Sequence, residues 1–359
     1  MSNLNTTGHS FLCPQGLWTN NNNTIWLGST ITLYRNLDKF VFSDKLTTDK
    51  RKQIIALLSP ALLTHEQLNE VRILPAEELS PLEKEFLVEH FLSHQSFHQA
   101  HSGEAFIIDK SCTFLAVFNL HDHLILQLID AKEELENSYE NLLKIENKIN
   151  QSANFAFSSK FGFLTSDVTQ CGTGLVVNVF LHLPMLRYSN TLNQVLAKNM
   201  ADGITQTGLQ GNPQDIIGDI VAFHNSYTIG TTEENIFTNL RTLATHLVIE
   251  ENSLRQQMQQ STETASAEIK DRVSRAYAIL VHSYKLESVE ALQALSLLKL
   301  GLDMNWLKGA TQADLNKLLF FSRRAHLLCH HGQHIEHDKL PHRRAEFIHQ
   351  ALKGLELLI

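Results

Sequence analysis

The chain has 359 residues, of which 43% are hydrophobic and 19% are charged, a composition typical of a soluble globular protein large enough for two domains. Its 38 acidic residues outnumber 30 basic ones, which gives a formal charge of -8. Because binding to a phosphate backbone requires clustered lysine and arginine, this balance argues against a nucleic-acid partner.

The cysteines and the apolar runs indicate the cellular compartment of the protein. The four cysteines have no CxxC spacing, which predicts reduced thiols in a cytoplasmic protein. The first residues lack the positive region and apolar run of a signal peptide, so we expect no export. The longest apolar stretch, residues 174–186, is too short to cross a bilayer, so no membrane partner is expected.

Residues 1 to about 250 mix strand-like and helix-like segments. Residues 24–33 alternate β-branched and aromatic side chains, which predicts a strand, and residues 105–129 predict strands joined by a turn at residues 109–112. Between them, Ser80-Pro81-Leu82-Glu83 is a capping box with proline at the first helical position, which predicts a helix that runs to about Ser93. Residues 130–150 predict a charged helix.

The last third of the chain is predicted to be helical. A capping box at residues 231–234 opens a long helix with one apolar face. Residues 256–264 are polar and predict a weakly structured link before further amphipathic helices. Because the strands are not separated by regular crossover helices, the fold class is α+β, with a first domain at residues 1–255 and an all-helical domain at residues 256–359.

The stretch FGFLTSDVTQCGTGLVVNVFLHLP, residues 161–184, resembles a segment of the guanidino kinases, most closely of the bacterial protein-arginine kinases. Further similar segments are NLHDHL at 119–124, TITLYRNL at 30–37, AFHNSYTIG at 222–230, and residues 275–303. The resemblance implies an antiparallel sheet flanked by helices that holds ATP. It also implies a helical domain that pairs subunits and recognises phosphoarginine.

The ATP-phosphate site is where the sequence departs from the family, which binds the phosphates with five arginines. A neutral side chain cannot replace a guanidinium fork. We therefore expect no nucleotide cofactor, with Mg-ATP bound only if the enzyme is active. Phe180 stands near the adenine position, where its ring leaves weak nucleoside stacking open. At the five arginine positions the resemblance places Thr30, Thr32, Ile125, Val176 and Thr207.

The acid-base residues of the family are also replaced. The resemblance puts His121 at the glutamate that orients the guanidinium substrate, and Asn212 at a second glutamate in a loop. It puts Asp167 at the cysteine that contacts the substrate. A histidine supplies no anion for a cationic substrate, so we expect no catalytic residue and interpret these positions as vestigial. Asp122 and His123 correspond to structural members of the same motif.

A second family site is partly retained. The bacterial enzymes hold phosphoarginine with an Arg-Asp-x-x-Arg-Ala motif, and the similar stretch at residues 340–345 keeps Arg343 and Arg344 before its alanine. These two arginines are a remnant that still offers positive charge to an anion. Tight phosphoarginine binding is not expected.

Nineteen histidines suggest a metal site as an alternative. Four of them share one helical face if the helix that begins at Ser80 continues, and the run CHHGQHIEH at residues 329–337 adds a thiol. A polar surface stripe and a solvated helix end explain the same residues, and we expect no metal. The four residues of the stripe are His90, His94, His98 and His101.

Three functions remain open from the sequence. The first is a catalytically inactive protein-arginine-kinase homologue, a scaffold or regulator in bacterial protein quality control that docks an activator protein or a Clp-type unfoldase. The second is an active ATP-dependent protein-arginine kinase with rearranged groups, and the third is a metal-binding protein. Leucines at residues 295–302 exceed what a short helical layer needs. We expect most of this apolar surface in the core of the chain and the rest in the face of a homodimer.

Overall fold

An eight-stranded antiparallel sheet is the centre of the fold in the computed structural model, which describes residues 18, 24–93, 97–209, 211–214, 216–331 and 336–359. Its strand order is β2-β3-β4-β5-β1-β8-β10-β9, and two small hairpins pair β6 with β7 and β11 with β12. The strands are β1 (Trp26–Arg35), β2 (Arg72–Pro75), β3 (Ala105–Ile108), β4 (Phe114–Phe118), β5 (Leu124–Asp130), β6 (Phe157–Ser158), β7 (Gly162–Phe163), β8 (Leu175–His182), β9 (Ile204–Gly208), β10 (Ile220–Asn225), β11 (Leu307–Lys308) and β12 (Glu356–Leu357).

Helices flank the sheet and form the C-terminal region. The predicted α+β class is confirmed, as are the strands on either side of the turn at residues 109–112. The helices are α1 (Thr48–Leu63), α2 (Pro81–Phe91), α3 (Leu135–Asn150), α4 (Pro184–Tyr188), α5 (Leu192–Asn199), α6 (Glu233–Gln260), α7 (Glu263–His282), α8 (Ser288–Asp303), α9 (Gln312–Phe321), α10 (Arg324–His331) and α11 (Leu340–Ala351).

The start of α2 is the predicted capping box. The Ser80 side chain accepts a hydrogen bond from the Glu83 backbone, and the Glu83 carboxylate accepts one from the Ser80 N–H. The helix ends at Phe91, because Leu92 adopts a left-handed conformation with φ 51°. A left-handed residue stops α-helical hydrogen bonding, so the four-histidine stripe predicted on one helical face is wrong.

Two boundaries differ from the prediction. Asp130 is the last residue of β5, and helix α3 begins only at Leu135. Helix α6 is capped by Thr232, whose side chain accepts from the Asn235 N–H, instead of by a box at Thr231. It continues to Gln260, so the predicted weakly structured link is wrong. Glutamine and methionine are good helix formers, and each residue added to a nucleated helix gains a hydrogen bond.

Each face of the sheet has its own core. Alternate residues of β1 point to opposite faces, so Ile31 and Leu33 pack with apolar residues of α1, α3 and α6. On the other face, Tyr34 and Phe180 belong to a core that also contains residues of α7, α8, α9 and α11. The predicted division at residue 255 falls inside α6, and it stays a prediction. In the described residues, no helix is both long and apolar enough to span a membrane.

The leucines near the end of α8 lie mainly inside the molecule. Leu295, Leu298 and Leu300 are buried in the core shared with the sheet, and Leu297 and Leu302 pack partly against it. Their apolar surface is therefore largely used within the chain. The homodimer stays a prediction.

Candidate functional site

Four of the five positions where the resemblance expects phosphate-binding arginines meet in space. Thr30 and Thr32 lie on β1, with Val176 opposite Thr32 on β8. Ile125 on β5 pairs with Tyr34 of β1. Side chains on adjacent strands of one sheet face are neighbours, and these four line one cavity of about 50 Å³. The fifth, Thr207, is buried on β9 and does not line it.

The cavity is neutral. Its lining consists of hydroxyl, amide and apolar side chains, and none of the described lining residues is Arg, Lys, His, Asp or Glu. The Asn178 amide donates to the Thr30 hydroxyl at 3.0 Å, and the Gln127 amide donates to the Phe91 carbonyl at 2.6 Å. These polar groups are therefore engaged with the protein. They offer no charge to an anion.

Three described residues that follow α2 border the cavity. Leu92, Ser93 and Phe97 line it opposite the sheet, and Thr30 and Thr32 are only 1% and 6% exposed. The lining residues Leu92 and Phe97 were missed by sequence reasoning. Nothing in their local pattern distinguishes them from ordinary core residues, because their position depends on the left-handed turn that ends α2.

Phe180, the residue expected near an adenine, is fully buried. The Trp18 ring lies against it with centroids 5.8 Å apart, and the Trp18 ring also meets the edge of Phe320 of α9 at 4.7 Å. A Cβ at Gly28 would lie 2.3 Å from the Trp18 indole nitrogen, so only glycine admits this approach. The Phe180 ring thus packs against the Trp18 ring, a contact that sequence reasoning missed.

The three positions interpreted as vestigial, two at acid-base glutamates and one at the substrate-contacting cysteine, are exposed and lie outside the cavity lining. The Asp167 carboxylate accepts from the Thr169 backbone at 2.9 Å and from its hydroxyl at 2.7 Å. The Asn212 side chain accepts from the Gln214 N–H at 3.1 Å. His121 is exposed at the turn before β5. Asp167 and Asn212 stabilise local turns, and neither geometry places an anion beside a bound guanidinium.

Asp122 and His123 are structural, as the resemblance implies. The Asp122 carboxylate accepts from the backbone and hydroxyl of Ser166 at 2.7 and 3.0 Å. His123 accepts from the Leu37 N–H at 3.0 Å and donates to the Val41 carbonyl at 2.8 Å. Burial lowers the pKa of His123, which keeps its ring neutral as this pattern requires. The pair fastens the turn before β5 to neighbouring loops.

The phosphoarginine-like remnant is not assembled as a pair. Arg344 is buried, and its guanidinium donates to the carbonyls of Ser322 and Leu286 at 2.6 and 2.7 Å. Arg343 is exposed, donates to Glu346 at 2.6 Å and lines a separate cavity of about 1000 Å³. Since Arg344 is committed to the fold, only Arg343 faces solvent.

The described histidines of the predicted stripe do not come together as a metal centre. His90 is 1% exposed and lies between the Cys112 carbonyl, at 2.9 Å, and the His326 ring, at 3.3 Å. His94 and residues 332–335 lie outside the described part of the chain. Within that part, no three His, Cys, Asp or Glu side chains are placed to hold a metal.

The buried histidine pair joins α2 to α10. His326 lies 2.9 Å from the Glu89 carboxylate, which also accepts from the Ala325 and His326 backbone N–H groups. Burial lowers the pKa of His90 to about 3, and the nearby His326 contributes to the same direction. Burial also lowers the pKa of His326, against the opposing effect of Glu89. The network is a structural contact between the sheet region and the helical region.

Comparison with known proteins identifies the family. The sequence model of the ATP:guanido phosphotransferase C-terminal catalytic domain matches residues 53–254, and that of the protein-arginine kinase McsB C-terminal domain matches residues 266–357. Protein-arginine kinase of Chlamydia pneumoniae is 33% identical over 93% of this chain and 93% of its own. That of Halothermothrix orenii is 30% identical over 90% of this chain and 92% of its own.

Solved structures support the fold. Lombricine kinase aligns with a TM-score of 0.57 and 16% identity, over 67% of this chain and 72% of its own. The duplicated taurocyamine kinase of Schistosoma mansoni, with bound transition-state-analogue components, aligns with a TM-score of 0.57 and 22% identity over 72% of this chain. The alignment spans 38% of that longer kinase. The chain therefore belongs to the ATP:guanido phosphotransferase family, together with bacterial relatives named protein-arginine kinases.

Proposed function

We propose that this chain is a catalytically inactive member of its family, which acts as a scaffold or regulator in bacterial protein quality control. The observation that carries the proposal is the neutral cavity at the expected phosphate site, where Thr30, Thr32, Ile125 and Val176 meet. The frame of the site is present, and its described lining has no cation.

The energetic argument concerns charge. Phosphoryl transfer leaves little covalent work to the protein, so catalysis consists of positioning and of neutralising charge on the transferring group. A hydrogen bond to a charged group contributes about 1.5–3 kcal/mol, so five such contacts amount to roughly 7–15 kcal/mol, although they are not additive. Threonine, isoleucine and valine side chains make no such charged contact with a phosphate.

The size of the site supports the same conclusion. Pockets for small ligands and cofactors have volumes of roughly 300–1,000 Å³, whereas this cavity is about 50 Å³. Leu92 and Phe97 are among the side chains that line and confine the cavity. A nucleotide would have to displace lining side chains, and no charge-assisted contact with the described lining would offset the cost.

In this proposal the chain acts by binding a partner protein and not by catalysis. The family resemblance favours an activator protein or a Clp-type unfoldase as the partner, in the cytoplasm, with the chain acting as a homodimer. Sedimentation of the purified chain tests the dimer, which requires a mass of about two chains. A pull-down from the native cytosol identifies the partner, and the absence of both dimer and partner would contradict this part of the proposal.

Nucleotide binding is the direct test. A ligand raises the melting temperature only through its affinity for the folded state. We expect Mg-ATP and Mg-ADP to leave the melting temperature of this chain unchanged, while the same nucleotides stabilise the Chlamydia pneumoniae relative as the matched control. A clear rise for this chain would contradict the proposal.

Restoring the arginines sharpens that test. A variant with arginine at Thr30, Thr32, Ile125 and Val176 buries four guanidinium groups without partners, so we expect it to be less stable than the natural chain. Mg-ADP should recover part of that stability, because the phosphates neutralise the new charges. If the nucleotide has no effect on the variant, the cavity is not a converted phosphate site.

An active protein-arginine kinase is the second candidate. The observation that favours it is the relatives' name, since proteins about 30% identical over nearly the whole chain are called protein-arginine kinases. Incubation with labelled ATP and an arginine-rich protein tests it. We expect no acid-labile phosphate from this chain, and phosphorylation abolished by His121→Ala or Asp167→Ala would establish the second candidate.

A further inference from the structure

A second cavity, of about 560 Å³, lies between the sheet region and the helical region. Its described lining comes from α4 and the turn after it, the segment before β10, α7 and α8, and we call it the interface cavity. It shares no described lining residue with the neutral cavity at Thr30. Pockets for small molecules have volumes of roughly 300–1,000 Å³ and are frequent where two structural regions meet. The interface cavity is therefore large enough for a small ligand.

Hydrogen bonds from two helices fix one wall of the interface cavity. The Asp219 carboxylate accepts from Arg187 Nη1 of α4 at 2.7 Å and from the Ser296 hydroxyl of α8 at 2.6 Å. Asp219 has a φ of 54° and Gly218 a φ of 64°. A Cβ at Gly218 would lie 2.9 Å from the Leu292 carbonyl oxygen of α8, so the backbone approaches this helix as closely as only glycine allows. This wall is therefore preformed.

The described lining carries two arginines and two carboxylates, namely Arg187, Arg272, Asp219 and Glu268. Both carboxylates already accept hydrogen bonds from the protein, since Glu268 accepts from the Tyr188 hydroxyl. Arg187 donates through Nη1, and its other nitrogens have no acceptor within the described part of the chain. The arginines therefore retain more unused hydrogen-bonding capacity than the carboxylates.

Arg272 has the most accessible charge of this set. Its guanidinium lies 5.5 Å from the centre of the Tyr188 ring, a cation–π contact that orients it. Among the described residues it has no ion pair, although Glu268 lies four residues earlier on the same helix. The neighbouring Arg275, by contrast, donates to Asp271 at 2.7 Å. Arg272 thus offers an oriented cation without an anionic partner.

Apolar side chains line much of the remaining surface. Pro184 of α4, Ile269 of α7 and Leu300 of α8 are buried, and Ile216 and Leu297 are half-buried. Release of water from such surfaces favours the binding of an apolar group. A ligand that suits both parts of the lining has one anionic end and an apolar body.

We propose that the interface cavity binds a small organic monocarboxylate, with Arg272 as the main partner of the carboxylate and the apolar side chains around its body. The planar fork of a guanidinium matches the two oxygens of a carboxylate. A phosphate dianion is disfavoured, because Asp219 and Glu268 in the same lining repel a second negative charge. The site requires neither the neutral cavity nor a partner protein, so it goes beyond the proposed function.

Fluorine NMR of the full chain tests the proposal, with para-fluorophenylacetate as the probe. Broadening of the fluorine line over a protein titration gives the dissociation constant, and we expect saturable binding. The amide para-fluorophenylacetamide has the same apolar body without the charge. It should bind at least about tenfold more weakly, since it cannot form a charge-assisted pair. Inorganic phosphate at a similar concentration should not displace the probe.

Two variants on α7 locate the bound probe. Arg272→Gln removes the charge from an exposed side chain, so we expect the fold to be kept and the affinity to fall at least about tenfold. Arg272→Lys keeps the charge without the planar fork and should recover part of the affinity. The matched control is Arg275→Gln, which removes an exposed arginine outside the described lining. It should bind the probe like the natural chain.

A third variant keeps the test decisive if Arg272→Gln does not fold. Gln293 is exposed on α8 and lines the cavity. Gln293→Glu is nearly isosteric and adds a negative charge, so it should weaken binding of the acid while leaving binding of the amide unchanged. Circular dichroism of each variant confirms that it is folded.

Several results would overturn the proposal. They are absence of saturable binding, equal binding of acid and amide, equal affinity of the Arg272→Gln and Arg275→Gln variants, or displacement of the probe by inorganic phosphate. Tighter binding of the zwitterion para-fluorophenylalanine, lost in Glu268→Gln, would also contradict a monocarboxylate ligand. None of these measurements contains nucleotide, so their failure leaves the proposed inactivity of the kinase site untouched.

Discussion

The two faces of β1 treat polar side chains in opposite ways. Toward α3, the Arg35 guanidinium donates to Glu146 and to the carbonyls of Tyr34 and Thr173, at 2.8 and 3.0 Å for the carbonyls. Toward the cavity, Thr30 and Thr32 are buried without charge. The same strand therefore holds a guanidinium on one side and excludes guanidinium groups from the other.

The difference shows when a buried charge is tolerated. A guanidinium removed from water is stable only where acceptors satisfy its donors. Arg35 has such acceptors within the fold, and Arg344 has two carbonyls. A guanidinium facing the cavity would depend on a bound anion instead. Neutral side chains remove that dependence, and the cavity closes around hydroxyls and amides.

Among the variants of the two faces of β1, replacement of Arg35 is expected to destabilise the fold most. Arg35→Ala leaves the Glu146 carboxylate, whose side chain is 8% exposed, without its ion partner. We expect a loss of about 3–5 kcal/mol in the free energy of unfolding, measured by urea denaturation. Arg275→Ala removes an exposed pair with Asp271 and should cost at most about 1 kcal/mol. Equal costs for the two variants would contradict this account.

The two arginines of the phosphoarginine-like remnant extend the comparison to the helical region. Arg344→Ala leaves the carbonyls of Ser322 and Leu286 without their charged donor, so we expect a loss of about 2–3 kcal/mol. Arg343→Ala breaks only an exposed pair with Glu346 and should change stability by at most about 0.5 kcal/mol. Thermal and urea unfolding of both variants check this. A larger effect at Arg343 would mean that it has a structural role.

The pH dependence of stability tests whether the buried His90 ring stays neutral. Its folded pKa of about 3 lies below the ordinary value of 6.5, so below pH 6.5 the unfolded chain binds a proton that the folded chain does not. Stability is complete above pH 6.5 and falls as the pH decreases, by up to about 2 kcal/mol at pH 5 from this residue. His326 and His182 act in the same direction, because burial lowers both pKa values.

A variant isolates the contribution of His90. His90→Phe removes the titrating group, so the free energy of unfolding should fall less steeply with pH than in the natural chain, whatever the absolute stability of the variant. Urea denaturation at several pH values between 5 and 7 measures the slope. Identical slopes would show that His90 does not titrate with folding.

The smallest effect on stability is expected for the neutral side chains of β1 that face the cavity. Thr30→Val leaves the Asn178 amide without its acceptor and should cost about 1 kcal/mol. Thr32→Val, at a buried position that lines the same cavity, should cost at most about 0.5 kcal/mol. Neither variant should change the response of the melting temperature to Mg-ADP. A changed response would place these hydroxyls in a nucleotide site.

The local sequence pattern was sufficient to predict much of the fold. The Ser80 capping box, the strand alternation at β1 and the apolar spacing of α6 each depend on near neighbours in the chain, and each appears in the structure. The predicted link at residues 256–264 failed because composition does not report the length to which a capped helix propagates. The histidine stripe failed because one left-handed residue, Leu92, ended its helix.

The sequence by itself determined the fold class, the family and the neutral side chains at Thr30, Thr32, Ile125 and Val176, since side-chain charge and strand alternation are properties of the chain. Tertiary structure alone decided that Leu92 and Phe97 line the cavity and that Trp18 packs against Phe180. The physical reason is that burial and packing depend on segments far apart in sequence, whose approach no local pattern records.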